Sequence, residues 1–145
     1  MDLKMKLCSL LGIAGGLIGQ LFNGWDSALS TLIACMFIDY LTGIIVAGVF
    51  KNSPKTEGGS LKSVAGFKGL CKKGVTLLIV LVSVRLDLVL GTTFIKDAVV
   101  ICYICNEVIS IIENAGLMGV PIPKIIKEAM ETLKSKAEGE EKEWK

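Results

Sequence analysis

The 145-residue chain has no histidine, so a zinc site would have to be built from cysteine and carboxylate ligands alone. Its five cysteines, Cys8, Cys35, Cys71, Cys102 and Cys105, do not fall into the paired spacings of a metal ribbon or a disulfide framework. Cys102 and Cys105 do form a C-x-x-C, but inside an apolar run with Glu107 two residues on. There they read as small packing residues and not as a redox pair. Aromatic residues are scarce at 6%, the net charge is only +2, and no basic patch is interleaved with aromatics. Nucleic acid is therefore not an expected partner. No nucleophile–base pair, phosphate loop or metal motif is present, so neither an enzyme nor a cofactor is expected.

What the chain has in quantity is aliphatic surface. It is 52% hydrophobic, with a mean hydropathy of +0.62. The charges cluster in Lys51–Lys73 and after Pro123, which leaves long apolar runs between them. Membrane proteins partition their sequences in this way. Four apolar segments approach the roughly 20 residues that a spanning helix needs. They are Leu7–Phe22, Ser27–Phe50, Gly74–Gly91 and Phe94–Ala115. Tight turns at Asn23–Asp26 and Gly91–Thr93 pair them into two hairpins. The expected fold is an all-α membrane protein with four transmembrane helices. If the short first segment does not span, three remain and the N-terminus lies outside. Lys4 and Lys6 precede that segment as in a signal peptide, but no A-x-A-like cleavage site follows, and it reads as a retained helix.

Lysine placement sets the orientation. The loop 51–73 carries Lys51, Lys55, Lys62, Lys68, Lys72 and Lys73 against a single Glu57. A short loop so positive stays cytoplasmic, which places both termini inside as well. Residues 1–122 thus form a transmembrane domain, and 123–145 an amphipathic helix with a charged cytoplasmic tail. In that helix Ile122, Ile125, Ile126, Ala129, Met130 and Leu133 recur at helical spacing, with Pro123 suited to its first turn. It lies on the inner membrane surface or packs against the bundle. The charged remainder, Lys136–Lys145, reads as disordered.

The informative residues are polar ones inside apolar runs. Asp39 sits near the middle of the second segment, where a carboxylate costs about 2.5–3.5 kcal/mol unless it finds a partner or water. Arg85 in the third segment lies at nearly the same depth, roughly 16 Å from the cytoplasmic edge at about 1.5 Å per residue. The expectation is an Asp39–Arg85 pair; the alternative is separate neutralisation by snorkelling and protonation. In the fourth segment Tyr103, Asn106, Glu107, Ser110, Glu113 and Asn114 share one stripe of the helix. That stripe either faces water in an assembly or packs inside its own bundle. Gly12, Gly15, Gly16 and Gly19 form two overlapping G-x-x-x-G spacings, and Gly43 and Ala47 fall on the side of Asp39. Small residues at this spacing let helices approach closely, within one chain or between copies.

Several stretches taken in order carry a family resemblance. They are Phe37-Ile38-Asp39-Tyr40-Leu41-Thr42-Gly43, Gly66-Phe67-Lys68-Gly69-Leu70-Cys71-Lys72-Lys73, Arg85-Leu86-Asp87, Asn106-Glu107 with Ser110-Ile111-Ile112-Glu113-Asn114, and Gly119-Val120-Pro121-Ile122-Pro123. Over roughly residues 26–134 the chain resembles the toxin-secretion/phage-lysis holin family, which includes the clostridial toxin-release holin. The resemblance implies a non-enzymatic protein that accumulates in the bacterial cytoplasmic membrane among its lipids. It would associate with copies of itself and open lesions through which an endolysin or a toxin passes. Two other functions remain open on the residues: a small accessory membrane subunit without a pore, and an ion or proton channel using Asp39 and Glu107 as carriers.

Overall fold

The computed structural model describes residues 2–142, apart from the side chains at 137 and 140–142. Five α-helices make up the described chain, with no strand among the described residues: α1 Leu3–Leu21, α2 Ser27–Gly48, α3 Ser63–Leu90, α4 Phe94–Leu117 and α5 Lys124–Lys142. A single 3-10 turn, Glu57–Gly59, interrupts the α2–α3 connection. The all-helical expectation holds. By length and apolarity, however, one described helix, α2, is long and apolar enough by itself to cross a membrane. α3 and α4 are longer still, but they carry Lys73, Arg85 and Asp87, and Lys96, Asp97, Glu107 and Glu113, respectively.

Two boundaries differ from the sequence reading. α3 begins at Ser63, well before Gly74, so the second half of the basic segment is helical despite Gly66 and Gly69. α5 runs on to Lys142 through the stretch expected to be disordered. The lysines and glutamates of residues 136–142 are good helix formers, and their propensity carries the helix on past its apolar face, which ends at Leu133. The last three residues of the expected tail lie outside the described residues.

Local chemistry fixes the turns. Asp26 caps α2 by accepting from the Leu29 N–H at 2.8 Å. Gly91 ends α3 in the left-handed region at φ 68°, where a residue without Cβ carries no penalty. The α1–α2 and α3–α4 turns meet at one end of the bundle, the hairpin end, where Lys96 pairs with Asp26. The opposite, loop end holds the 49–62 connection. There the Asn52 amide donates to the Leu117 carbonyl, 3.4 Å away.

α4 is the central helix, packed on α2, α3 and α5, whereas α2 and α3 touch each other only sparingly. The core joins Leu29, Leu32 and Met36 of α2 with Val80 of α3 and Val100 and Ile104 of α4. α1 stands off from this core, with Leu10, Leu11, Ile13 and Leu17 exposed. α2 and α3 also turn Phe37, Ile38, Leu78, Ile79, Val82 and Val89 outward. So much open apolar surface marks a protein that meets lipid or other protein. α5 doubles back along α4, and its Leu133 packs against Ile101 and Cys105.

Candidate functional site: a buried knot of charge

Helical phase brings four polar side chains into the space between α2, α3 and α4. The Lys73 ammonium donates to Asp39 Oδ2 at 2.7 Å and to Glu107 Oε2 at 2.5 Å. The side chains of all three are largely buried, at 15%, 8% and 9% exposure. Asn114, also buried, donates from Nδ2 to Asp39 Oδ1 at 3.2 Å and to the Thr42 hydroxyl at 2.9 Å. The Thr42 hydroxyl in turn donates to the Asp39 carbonyl at 3.0 Å. Asp39, Lys73 and Glu107 lie nine or ten residues from the loop ends of their helices. That places them on one level, about 15 Å along each axis.

Two carboxylates share one ammonium, so the knot carries a formal charge of −1. Charges removed from water are tolerable only when paired and fully hydrogen-bonded, and here each has a partner on another helix. The knot therefore fixes how three helices face one another, which apolar packing alone specifies less sharply.

The structure corrects the expected Asp39–Arg85 pair. Arg85 is exposed and makes no ion pair among the described residues, while Lys73 takes the place assigned to it. Neither depth nor angular position matches: because α3 begins at Ser63 and not at Gly74, Arg85 lies near the hairpin end, about 18 Å along the helix from Lys73. At about 100° per residue Lys73, Val80, Val84 and Asp87 share one face of α3, and Arg85 points about 120° away from Lys73. Lys73 was counted with the topology-setting lysines; its seven-residue spacing to Val80 was the signal that it belongs to the buried stripe. Lys51, Lys55, Lys62, Lys68 and Lys72 are exposed.

The α4 stripe divides. Glu107 and Asn114 are buried, Tyr103 and Ser110 are half-buried, and Asn106 and Glu113 are exposed. The glycines divide too. Gly43 faces Asn114, whose Nδ2 would lie 3.9 Å from an added Cβ, and Ala47 is buried. A Cβ added at Gly12, Gly15 or Gly16 would meet nothing from outside the local helix within 4 Å, whereas Gly19 seats the Trp25 indole. An added Cβ there would come within 2.6 Å of Trp25 Nε1.

A second polar site, unforeseen from the sequence, lies at the hairpin end. Buried Asp87 accepts from the Thr92 hydroxyl at 2.6 Å and from the Ile95 and Lys96 N–H groups at 3.1 and 2.8 Å. It caps α4 from the preceding helix. Among the described residues no group of histidine, cysteine and carboxylate side chains is arranged to hold a metal ion.

Known proteins place the chain. An uncharacterized protein of Clostridium perfringens is 38% identical over 90% of this chain and 93% of its own length. An uncharacterized 14.9 kDa protein from the nagH 3′ region of Clostridium perfringens is 41% identical over 84% and 88%. A probable holin of Bacillus phage phi105 is 31% identical over 74% of each chain. No solved structure matches. The bacteriophage holin family matches residues 16–135, nearly all of the helical core and most of α5, and the chain belongs to that family.

Proposed function

We propose that the protein is a non-enzymatic, phage-type holin. It accumulates in the bacterial cytoplasmic membrane, associates with copies of itself, and opens lesions that release an endolysin or a toxin. Within one chain, the observation that carries this reading is the Asp39–Lys73–Glu107 knot. It holds the polar sides of α2, α3 and α4 turned inward and leaves the apolar sides outward, as a membrane-accumulating precursor requires. When copies crowd together, the same polar sides turn toward one another and toward water, and the knot opens.

In the membrane α1 to α4 span as two hairpins, with the loop end and both termini cytoplasmic. α5 cannot stay docked on α4 in that state, because its lysines and glutamates would sit in hydrocarbon. It moves to the inner surface, where its exposed Ile125 and Ile126 meet the headgroup boundary. Residues 1–122 are then the lesion-forming unit and 123–145 a peripheral one.

The test is inducible expression in a bacterium carrying a membrane-potential dye, with and without a co-expressed endolysin. Abrupt depolarisation after a delay, followed by endolysin-dependent lysis, is the expected result. Depolarisation without release of the folded enzyme would favour a selective channel built on the buried carboxylates; neither event would favour an accessory subunit.

A further inference from the structure

We propose that the groove between α2 and the first turns of α3 binds the headgroup of an anionic phospholipid from the inner leaflet. Gly43, Ile44 and Ala47 of α2 and Ala65 of α3 give it an apolar floor. Lys55 and Lys62 stand at its rim, and Lys73 lies at its inner end beside Asp39. Glycine makes the room. A Cβ at Gly69 would meet nothing within 4 Å, and one at Gly66 would meet only the Tyr40 hydroxyl at 3.5 Å.

The rim is a built feature. Ser53 N–H donates to the Gly59 carbonyl at 3.0 Å, Asn52 N–H to Val46 at 3.0 Å, and the Thr56 hydroxyl to Ser60 at 2.7 Å. Gly59 is obligatory in this arrangement: its φ is 74°, and a Cβ would fall 2.2 Å from the Lys51 carbonyl oxygen. The loop that presents Lys55 and Lys62 is thus tied to α2 and to itself.

Charge and depth select the occupant. Lys55, Lys62 and Lys73 line the groove with one carboxylate, Asp39; counting Glu107, which shares Lys73, groove and knot together carry a formal charge of +1. The surplus is positive and calls for an anion. An apolar floor disfavours a free hydrated anion and suits the glycerol and first methylenes of a lipid. A hydrocarbon layer of roughly 30 Å, measured at about 1.5 Å per residue from the hairpin end, ends near Ala47 on α2 and Leu70 on α3. The groove lies at that level, where headgroup phosphates are. This last step rests on the proposed insertion with the basic loop inside.

The experiment is native mass spectrometry of the full chain released from micelles containing phosphatidylglycerol or phosphatidylcholine. One phosphatidylglycerol should be retained per chain, and phosphatidylcholine should not. K55Q/K62Q should weaken retention about tenfold or more, because each lysine near an anionic headgroup contributes severalfold. K68Q/K72Q removes the same charge from exposed positions outside the groove and should change retention less than about twofold. Gly69→Leu should abolish retention with every lysine in place, provided circular dichroism shows the helices intact; the lysine pairs decide the matter if it does not. Equal losses in the two lysine pairs would overturn the proposal, as would displacement of the lipid by millimolar glycerol phosphate, which would make this a free-anion site. Retention of phosphatidylglycerol without lysis would reject the holin reading alone, and lysis without retention would reject the groove alone.

Discussion

At the hairpin end, buried Asp87 is answered by a hydroxyl and two backbone N–H groups from the next nine residues, while Lys96 meets Asp26 across the two turns with Asp26 still 42% exposed. At the level of the knot, the ion pairs are not local. Asp39, Lys73 and Glu107 are each 34 residues from the next and come from three helices. The first arrangement shapes one turn and one helix start, and water remains at hand. The second leaves a net negative charge between helices, with a single lysine holding two carboxylates. Charge at the hairpin end therefore stabilises a connection, and charge in the knot decides whether three helices can stay face to face.

The largest effect should come from removing the shared cation. Lys73→Met leaves two carboxylates buried without a cation, and breaking a buried pair this way typically destabilises by about 3–5 kcal/mol. Denaturant unfolding in micelles should show that loss, and in cells the variant should fail to accumulate or should trigger early. The triple change K73M/D39N/E107Q removes all three charges and should recover most of the stability. A triple no better than the single would show that Lys73 matters through packing, and the contrast between the two regions would lose its basis.

Asp87→Ala should rank second. It removes three accepted hydrogen bonds and uncaps the first turn of α4, at about 1–2 kcal/mol. Hydrogen exchange should rise at Ile95 and Lys96 while the amides around Asp39 stay protected. Lys96→Met should rank third. Its partner is partly exposed and keeps its own cap on α2, so the loss should stay below about 1 kcal/mol in the same unfolding assay.

These regions were unequally legible in the sequence. Apolar run length and the turn residues located α1 to α4, and helical periodicity located α5, because all of these signals are local. The ends of α3 and α5 were missed because α3 was started at the apolar run from Gly74, with Leu61–Cys71 only a weak amphipathic stretch loosened by Gly66 and Gly69, and because a dense run of charge was read as disorder. The knot was half read. Asp39 and Glu107 stood out as carboxylates in apolar runs, but their cation was sought on the wrong face of α3 and, because α3 starts eleven residues before Gly74, at the wrong depth. Lys73 sits at the border of a lysine-rich segment, so composition assigned it to topology; only its phase with Val80 and Asp87 separates it from Lys72. Asp87 stood out only within the stretch Arg85-Leu86-Asp87, and its capping role was missed because its partners are mostly backbone N–H groups that no sequence pattern displays.

Arg85 offers the finest discrimination. It lies two residues from Asp87, near the hairpin end, and its side chain is exposed. A long cationic side chain there reaches the nearby interface with its head while its stem covers apolar surface. Arg85→Met keeps the stem and removes the charge, so unfolding in micelles should shift by no more than about 0.5 kcal/mol. A loss comparable to that of Lys73→Met would mean that Arg85 serves Asp39 after all. The variant D39N would then abolish the effect of Arg85→Met while leaving a penalty for Lys73→Met through Glu107. The structure requires the opposite order: a near-silent Arg85, and a Lys73 whose removal is softened only when both of its carboxylates are neutralised with it.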